Sequence, residues 1–311
     1  MRILITGCDG FIGQNLCKAV RAKYPTADIT GVDNNWTSSP KTPYELGINT
    51  HVHGDVVNNA LFKPYSFDMI LHLASPASPN WYQSNPLRTI SGNVMGAFNC
   101  VDWCKPDGLI FFTSTSEVYG DPVVSPQPES YKGQVDCTGP RACYDESKRV
   151  SETIFFDAVR MGRIKNIRIA RLFNVYGPGT LPQDGRAVSN FITQAIQGDP
   201  ITIYGDGLQT RSFTYINDVI HGIMTFIEQD EYMGPLNIGS DVEESVLHIA
   251  RTVKSLANSE AEIVHLDPVV DDPQQRRPDL TLARKYIGWN PQVYYADGIL
   301  RTIDYFKGLM K

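Results

Sequence analysis

No apolar stretch in this 311-residue chain reaches the roughly 18 residues that a membrane-crossing helix needs, so no span is expected. A charged leader with an apolar core behind it is missing too, because Met1 runs directly into Arg2-Ile3-Leu4-Ile5-Thr6. If that strand opens the fold, no room remains for a targeting peptide, and the cytoplasm is the expected compartment. Positive charge is not in excess. A net charge of −6 excludes non-specific nucleic-acid binding, although local cations can still hold an anionic ligand. Cys-x-x-Cys is absent, and no histidine pair accompanies Cys100 and Cys104. With Cys8, Cys17, Cys137 and Cys143 they all lie in the first half, and they read as small buried residues in a reducing compartment; no metal is expected. Repeats, low-complexity tracts and linkers are also missing. Val123-Val124-Ser125-Pro126-Gln127-Pro128 is rich in proline and reads as an ordered loop.

What is present is globular in balance, 42% hydrophobic and 20% charged. A single core stops growing at ~250–300 residues, so a large lobe with a smaller one attached is expected. The first half carries a dinucleotide signature. Ile3-Leu4-Ile5 is a buried-strand run. Gly7-Cys8-Asp9-Gly10-Phe11-Ile12-Gly13 follows, then a helical stretch to about residue 23. Glycines here allow a tight turn and a close approach of phosphate to the backbone, with the helix N-terminus facing the pyrophosphate. A second strand over residues 28–32 ends at Asp33, 20 residues after Gly13. A carboxylate there accepts hydrogen bonds from a ribose diol and repels a 2′-phosphate; Asn34-Asn35-Trp36 brings no arginine close behind it. The expected cofactor is therefore NAD rather than NADP. Strands at 48–52, 69–73 and 109–113, with helical spacers, predict a parallel, doubly wound sheet of Rossmann type. Asp55 and Val56 fall near the adenine end, and Leu73 and Ala74 at a strand end where ligands sit.

Tyr144-Asp145-Glu146-Ser147-Lys148 leads into a helix over residues 149–160. Tyrosine and lysine at i and i+4 share one helix face. An ammonium beside a phenol brings the phenol's pKa toward neutrality and suits it to remove a hydroxyl proton while a hydride leaves the same carbon. Thr115 ends the strand that carries Ile110-Phe111-Phe112, and its hydroxyl can bridge the substrate to Tyr144. Glu117, two residues on, shares a face with Thr115 if the strand end is extended, as a second acid/base or to orient a water. From Gly177 onward glycine and proline become frequent. Gly185-Arg186-Ala187 opens an amphipathic stretch ending near Gly198. A smaller C-terminal α/β lobe laid over the strand ends is expected, dividing the chain into residues 1–176 and 177–311, with some later segments returning to the first. Arg211, Arg276 and Arg277 are candidates for a diphosphate, because a planar guanidinium gives bidentate contacts.

Longer motifs then make the chain recognisable. Leu71-His72-Leu73-Ala74-Ser75-Pro76-Ala77-Ser78-Pro79, Thr113-Ser114-Thr115-Ser116-Glu117-Val118-Tyr119-Gly120-Asp121-Pro122 and Gly139-Pro140-Arg141-Ala142-Cys143-Tyr144-Asp145-Glu146 resemble the UDP-glucuronate decarboxylases, or UDP-xylose synthases. So do Gly185-Arg186-Ala187-Val188-Ser189-Asn190-Phe191-Ile192, Tyr204-Gly205-Asp206-Gly207-Leu208-Gln209-Thr210-Arg211-Ser212-Phe213 and Asp271-Asp272-Pro273-Gln274-Gln275-Arg276-Arg277-Pro278-Asp279. The resemblance implies an extended short-chain dehydrogenase/reductase that decarboxylates UDP-glucuronate through a 4-keto sugar with recycled NAD. It implies Thr115, Tyr144 and Lys148 at sugar C4, Glu117 and Arg276 at the decarboxylation step, and Tyr82 along the sugar. It implies Asn174, Arg211, Arg276, Arg186 and Gln209 toward the diphosphate and its surroundings, with Val188 and Tyr204 at the nucleobase. A homodimer joined through helices near residues 94–104 and 150–159 is a further implication.

The chain departs from the family in three places. Cys8 and Asp9 stand where glycine and alanine are usual, and Asp9 adds charge beside the pyrophosphate. Ser147 replaces a glycine on what reads as an exposed turn. Gly179 stands where an arginine is common. The residues leave other outcomes open. A 4,6-dehydratase uses Thr-Asp-Glu, and Ser116 is too weak an acid to replace that aspartate. A 4-epimerase needs no glutamate at 117, and a 4-dehydrogenase needs external NAD turnover. A dinucleotide-binding regulator has no need of a tuned phenol.

Overall fold

The computed structural model describes residues 1–268 and 275–310, so Asp271, Asp272, Pro273 and Gln274 of the last motif lie outside the described residues. The first half runs β1 (Arg2–Thr6), α1 (Phe11–Lys23), β2 (Asp28–Asp33), α2 (Pro43–Leu46), β3 (Thr50–His53), β4 (Phe67–His72), α3 (Pro79–Tyr82), α4 (Pro86–Trp103), β5 (Cys104–Thr115) and α5 (Ala142–Arg160). It continues with β6 (Asn166–Leu172), β7 (Asn174–Tyr176), α6 (Ala187–Gln197), β8 (Ile201–Tyr204), β9 (Thr210–Arg211), β10 (Phe213–Tyr215), α7 (Ile216–Glu228) and β11 (Leu236–Ile238). The chain closes with β12 (Glu244–Ser245), α8 (Val246–Ala257), β13 (Ile263–Leu266), β14 (Gln275–Arg276), α9 (Thr281–Ile287) and α10 (Tyr295–Leu309).

Seven strands form the main sheet in the order β11-β6-β5-β4-β1-β2-β3, all parallel. Alternate side chains of each strand enter different cores. Ile3, Ile5, Leu71 and Phe111 pack with Leu16, Cys17 and Val20 of α1 and with Val219, Ile223 and Phe226 of α7. Leu4, Ile70, Ile110 and Phe112 pack with Ala97, Cys100 and Val101 of α4 and with Phe155 and Ala158 of α5. A sheet covered on both faces explains the continuous apolar runs of its strands. The strand order reverses across β1 and β4, which places a ligand crevice at their carboxyl ends.

The expected doubly wound α/β fold is present, with shifted boundaries. Gly47, at φ 70°, caps α2, so the strand expected at 48–52 starts at Thr50. The helix expected at 94–104 starts at Pro86, where proline occupies the first turn and the Asn85 side chain accepts from the Arg88 N–H. The helix expected at 149–160 starts at Ala142, so Tyr144 and Lys148 both lie within it. Residues beyond 177 do not form one block: α7 covers a face of the main sheet, β11 joins it beside β6, and β10 pairs with β7. The remaining strands build a parallel pair, β8 with β13, and a three-stranded sheet, β12-β9-β14. Ser147 is not on an exposed turn. It is buried between α4 and α5, where its hydroxyl accepts from Asn93 Nδ2 at 2.8 Å and donates to the Cys143 carbonyl at 2.6 Å. Among the described residues no helix is long and apolar enough to cross a membrane.

Candidate active site

The glycine turn joins β1 to α1 at the strand-order reversal. Gly7 has φ 71°, and a Cβ on Gly13 would lie 2.0 Å from the Gly7 carbonyl oxygen, so a side chain at either position breaks the turn. The Thr6 hydroxyl accepts from the Leu73 and Ala74 N–H groups, both at 3.1 Å, and ties the ends of β1 and β4 together. Beside the turn a small cleft is lined by Gly7, Gly10, Asp33, Asp55, Val56, Leu73 and Ala74. The Asp33 carboxylate ends β2 and accepts from the Asp9 and Asn35 N–H groups at 3.1 and 2.8 Å and from the Ser38 hydroxyl at 2.9 Å. Burial raises its pKa from the usual carboxylate value. A steric cradle of glycines beside a carboxylate at a strand end fits a dinucleotide. Asp9 does not face the pyrophosphate position with a bare charge. Its buried carboxylate accepts from His51 Nε2 at 2.9 Å and from Asn35 Nδ2 at 2.6 Å. Cys8, Asp9 and His51 converge there, with Cys8 fully buried and its thiol pushed up by burial.

A second cleft of about 570 Å³ continues from the turn. Phe11, Ile12, Gly13, Tyr82, Thr115, Glu117, Tyr144, Lys148, Asn174, Arg186, Val188, Tyr204, Gln209, Arg211 and Arg276 all line it, so the sequence candidates outside the adenosine end come together in one place. The Tyr82 ring stacks on Tyr144, centroids 5.0 Å apart and planes within 9°. Burial raises the Tyr144 phenol above its usual pKa, against a hydrogen bond with Thr115 that lowers it. Burial also lowers the Lys148 amine to about 7. Lys148 Nζ donates to the Thr113 carbonyl at 2.9 Å and sits 4.7 Å from the Phe112 ring centroid, 5.8 Å from that of Tyr144. Burial of the pair thus outweighs the lowering of the phenol expected from this lysine. Desolvation acts on both groups and favours their neutral forms.

Glu117 is not on an extended strand end. Residues Ser116–Tyr119 form a 3₁₀ turn, capped where Thr115 Oγ1 accepts from the Glu117 N–H at 3.2 Å. The turn swings Glu117 away from Thr115 and between two guanidiniums. Arg141 donates to its Oε2, and Arg276 Nη1 lies 2.5 Å from its Oε1. The two cations outweigh burial and hold the carboxyl down at about 2. Asp145 takes the opposite course: burial, then Glu117, push it up to about 7. Its Oδ1 is buried with no hydrogen-bond partner among the described residues. One carboxylate is thus locked as an anion, and a second nearby can carry a proton at neutral pH.

Residues 3–239 match the model of the NAD dependent epimerase/dehydratase family. The chain belongs to that family. It is 45% identical over 302 residues to UDP-glucuronic acid decarboxylase 5 of Arabidopsis thaliana, covering 96% of this chain and 87% of that protein. It is 42% identical over 310 residues to UDP-glucuronic acid decarboxylase 1 of Xenopus tropicalis, covering 98% and 72%. Among solved structures it is similar to the UDP-glucuronic acid 4-epimerase of Bacillus cereus in complex with UDP-glucuronic acid and NAD. That likeness has TM-score 0.84 and 28% identity over 99% of this chain and 100% of that one.

Within this member of the epimerase/dehydratase family, several cleft residues escaped the sequence reading. Arg141 precedes Tyr144 by one helical turn, and that spacing was the available signal. Arg88, from α4, enters the adenosine cleft, stacks over Trp36 at 4.3 Å and reaches Asp55 at 3.4 Å. No local motif marked it. Arg186 is already paired with Asp184, Nε to Oδ2 at 2.5 Å. At Gly179, φ is 104° and a Cβ would meet Asn15 Nδ2 at 2.9 Å, which explains why this turn holds glycine and not arginine. Gln127 bonds the backbone of Arg277 and Asp279, confirming residues 123–128 as an ordered loop.

Proposed function

We propose that this protein converts UDP-glucuronate to UDP-xylose and carbon dioxide, with NAD regenerated in every turnover. The observation that carries the proposal is a carboxylate clamped by Arg141 and Arg276 in the same cleft as Thr115, Tyr144 and Lys148. The named relatives, similar along nearly the whole chain, support it. Gly7, Gly10 and Gly13 would hold the pyrophosphate, Asp33 the adenosine ribose, and Asp55, Val56, Leu73 and Ala74 the adenine side. Phe11, Ile12 and Lys148 would complete the cofactor contacts. NAD held by these residues would supply a hydride acceptor at C4 and the hydride donor for the closing step, with no net redox change.

The Tyr144 phenolate, which a bound cationic cofactor and a charged Lys148 would favour over the neutral phenol, takes the C4 hydroxyl proton, with Thr115 bridging the same oxygen. The resulting ketone is β to the C6 carboxylate and accepts the electron pair of the C5–C6 bond as carbon dioxide leaves. Tyr144 and Thr115 hold the developing C4 oxyanion. Glu117, kept ionised, serves as an anchor for the arginines and for water, not as the proton donor. Solvent water entering the cleft beside Glu117 would supply the proton taken up at C5. Arg211 and Asn174 hold the diphosphate, with Arg186 and Gln209 beside it. Val188 and Tyr204 meet the base, and Tyr82 covers the sugar.

In this reading residues 1–176 chiefly bind NAD and 177–311 chiefly bind the sugar nucleotide, apart from β11. Exposed Leu87, Ile90, Met95 and Phe98 on α4, with Val150 on α5, support a homodimer through those helices. Free cysteines accord with the cytoplasm. The similarity to a UDP-glucuronic acid 4-epimerase favours one rival, epimerisation at C4. One experiment separates them: incubation with UDP-glucuronate and catalytic NAD, followed by chromatographic separation and mass analysis. Carbon dioxide and a UDP-pentose support decarboxylation. A new chromatographic species of unchanged mass, without carbon dioxide, supports epimerisation and overturns the proposal.

A further inference from the structure

Two guanidiniums meet at Glu117, but they are not equivalent. Arg276 is buried and largely engaged: its side chain is 3% exposed, Nη2 donates to the Gly120 carbonyl at 2.9 Å, Nη1 also reaches Ser116 Oγ at 3.4 Å, and only Nε lacks a partner among the described residues. Arg141 is 17% exposed on the cleft wall and makes one side-chain hydrogen bond, to Glu117, which leaves the rest of its fork uncommitted among the described residues. It occupies the N-cap position of α5, and its carbonyl accepts from the Tyr144 N–H at 3.0 Å, so its backbone is fixed relative to the phenol. Glu117 is one full anion against two cations, and Asp145, pushed up to about 7 by burial and Glu117, adds at most part of a second, so this wall stays net positive. Three other cations of the cleft already have partners: Arg186 faces Asp184, Lys148 donates to the Thr113 carbonyl and Arg211 to the Thr210 carbonyl.

We propose that Arg141 is the specificity-determining residue that admits sugars with a carboxylate at C6 and rejects those with a hydroxymethyl group. The inference rests on the sugar-nucleotide reading above and deepens it. A carboxylate entering beside C5 completes the charge balance and takes the unused half of the fork. A neutral C6 leaves a half-buried cation uncompensated, which is discrimination by an unmet partner. Sharing with Glu117 also limits the grip. An arginine that bound the C6 carboxylate without competition would stabilise the ground state and oppose its loss. Here Glu117 recovers Arg141 as carbon dioxide departs.

The test compares Kd for UDP-glucuronate and for UDP-glucose on the NAD-loaded protein, in the wild type, Arg141→Gln and Arg141→Lys. UDP alone is the control for an intact nucleotide site. Wild type is expected to prefer the uronate at least tenfold. Arg141→Gln is expected to bring the ratio within about twofold by losing uronate affinity, with UDP binding unchanged; Arg141→Lys keeps charge without the fork and should fall between. A merely structural role would weaken all three ligands together. If wild type prefers the uronate and Arg141→Gln preserves the ratio, the assignment of Arg141 is overturned while the function stands. If wild type shows no preference and releases no carbon dioxide, both fall. Should Arg141→Gln fail to bind UDP, the ratio is read on Arg141→Lys. A severalfold reduction supports the assignment and an undiminished ratio overturns it.

Discussion

Replacing Glu117 by glutamine keeps the shape of the side chain and removes the one anion between Arg141 and Arg276. The loss can be sized. The folded chain holds this carboxyl at about 2, against an ordinary 4.5. At about 1.4 kcal/mol per pH unit, that depression corresponds to about 3 kcal/mol at neutral pH. Breaking a buried pair by removing one partner costs roughly 3–5 kcal/mol, which agrees. For a chain of 311 residues the unfolding temperature should fall by roughly 4–6 °C. The assay is thermal unfolding of wild type and Glu117→Gln from pH 7 downward. A depressed carboxyl stabilises the fold fully above its unfolded value and loses that contribution as pH falls toward its folded value. Between pH 7 and about 5 the gap also carries Asp145, which Glu117 helps push up to about 7, so the decisive range lies lower: the gap should narrow below about 4.5. Equal midpoints at pH 7, or a gap that does not narrow below about 4.5, would refute the clamp as the cause. In turnover, Glu117→Gln should still oxidise C4 but release little carbon dioxide, because Thr115, Tyr144 and Lys148 are untouched.

Tyr144→Phe should lower turnover by about 10²–10⁴ while NAD and UDP binding persist, measured by kcat and by equilibrium titration. Gly13→Ala should abolish NAD binding, since the new methyl group would sit 2.0 Å from the Gly7 carbonyl oxygen; unchanged NAD affinity by calorimetry counts against the cradle. Lys148→Met should raise the unfolding temperature at pH 6, because the buried amine has its pKa lowered to about 7 and its charged form destabilises the fold below that pH. That gap should close by pH 10, and an equal or lower midpoint at pH 6 would show that Lys148 is not desolvated.

Features governed by short spacing were legible in the sequence. The glycine turn, Asp33 after its strand, and Tyr144 with Lys148 on one helix face are set by local backbone geometry. Features governed by desolvation or distant pairing were not. Nothing in the Tyr144–Lys148 spacing encodes how far burial moves both pKa values. The local pattern places Glu117 on an extended strand, whereas the 3₁₀ turn depends on Thr115 capping it, and its second arginine comes from the far end of the chain. Ser147 looked exposed because its partner, Asn93, lies on another helix. Asp9 looked like a liability to the pyrophosphate until β3 brought His51 to it.

One rung of the small three-stranded sheet has a mechanical consequence. Arg211 of β9 and Arg276 of β14 are register partners in a parallel ladder. In the proposed complex the first grips the diphosphate and the second the catalytic glutamate. The spacing between the two ends of the substrate is therefore gauged by a single backbone pairing. A sugar tethered through one phosphate too few or too many would present its reacting carbon out of step with Tyr144, however well its individual groups were recognised.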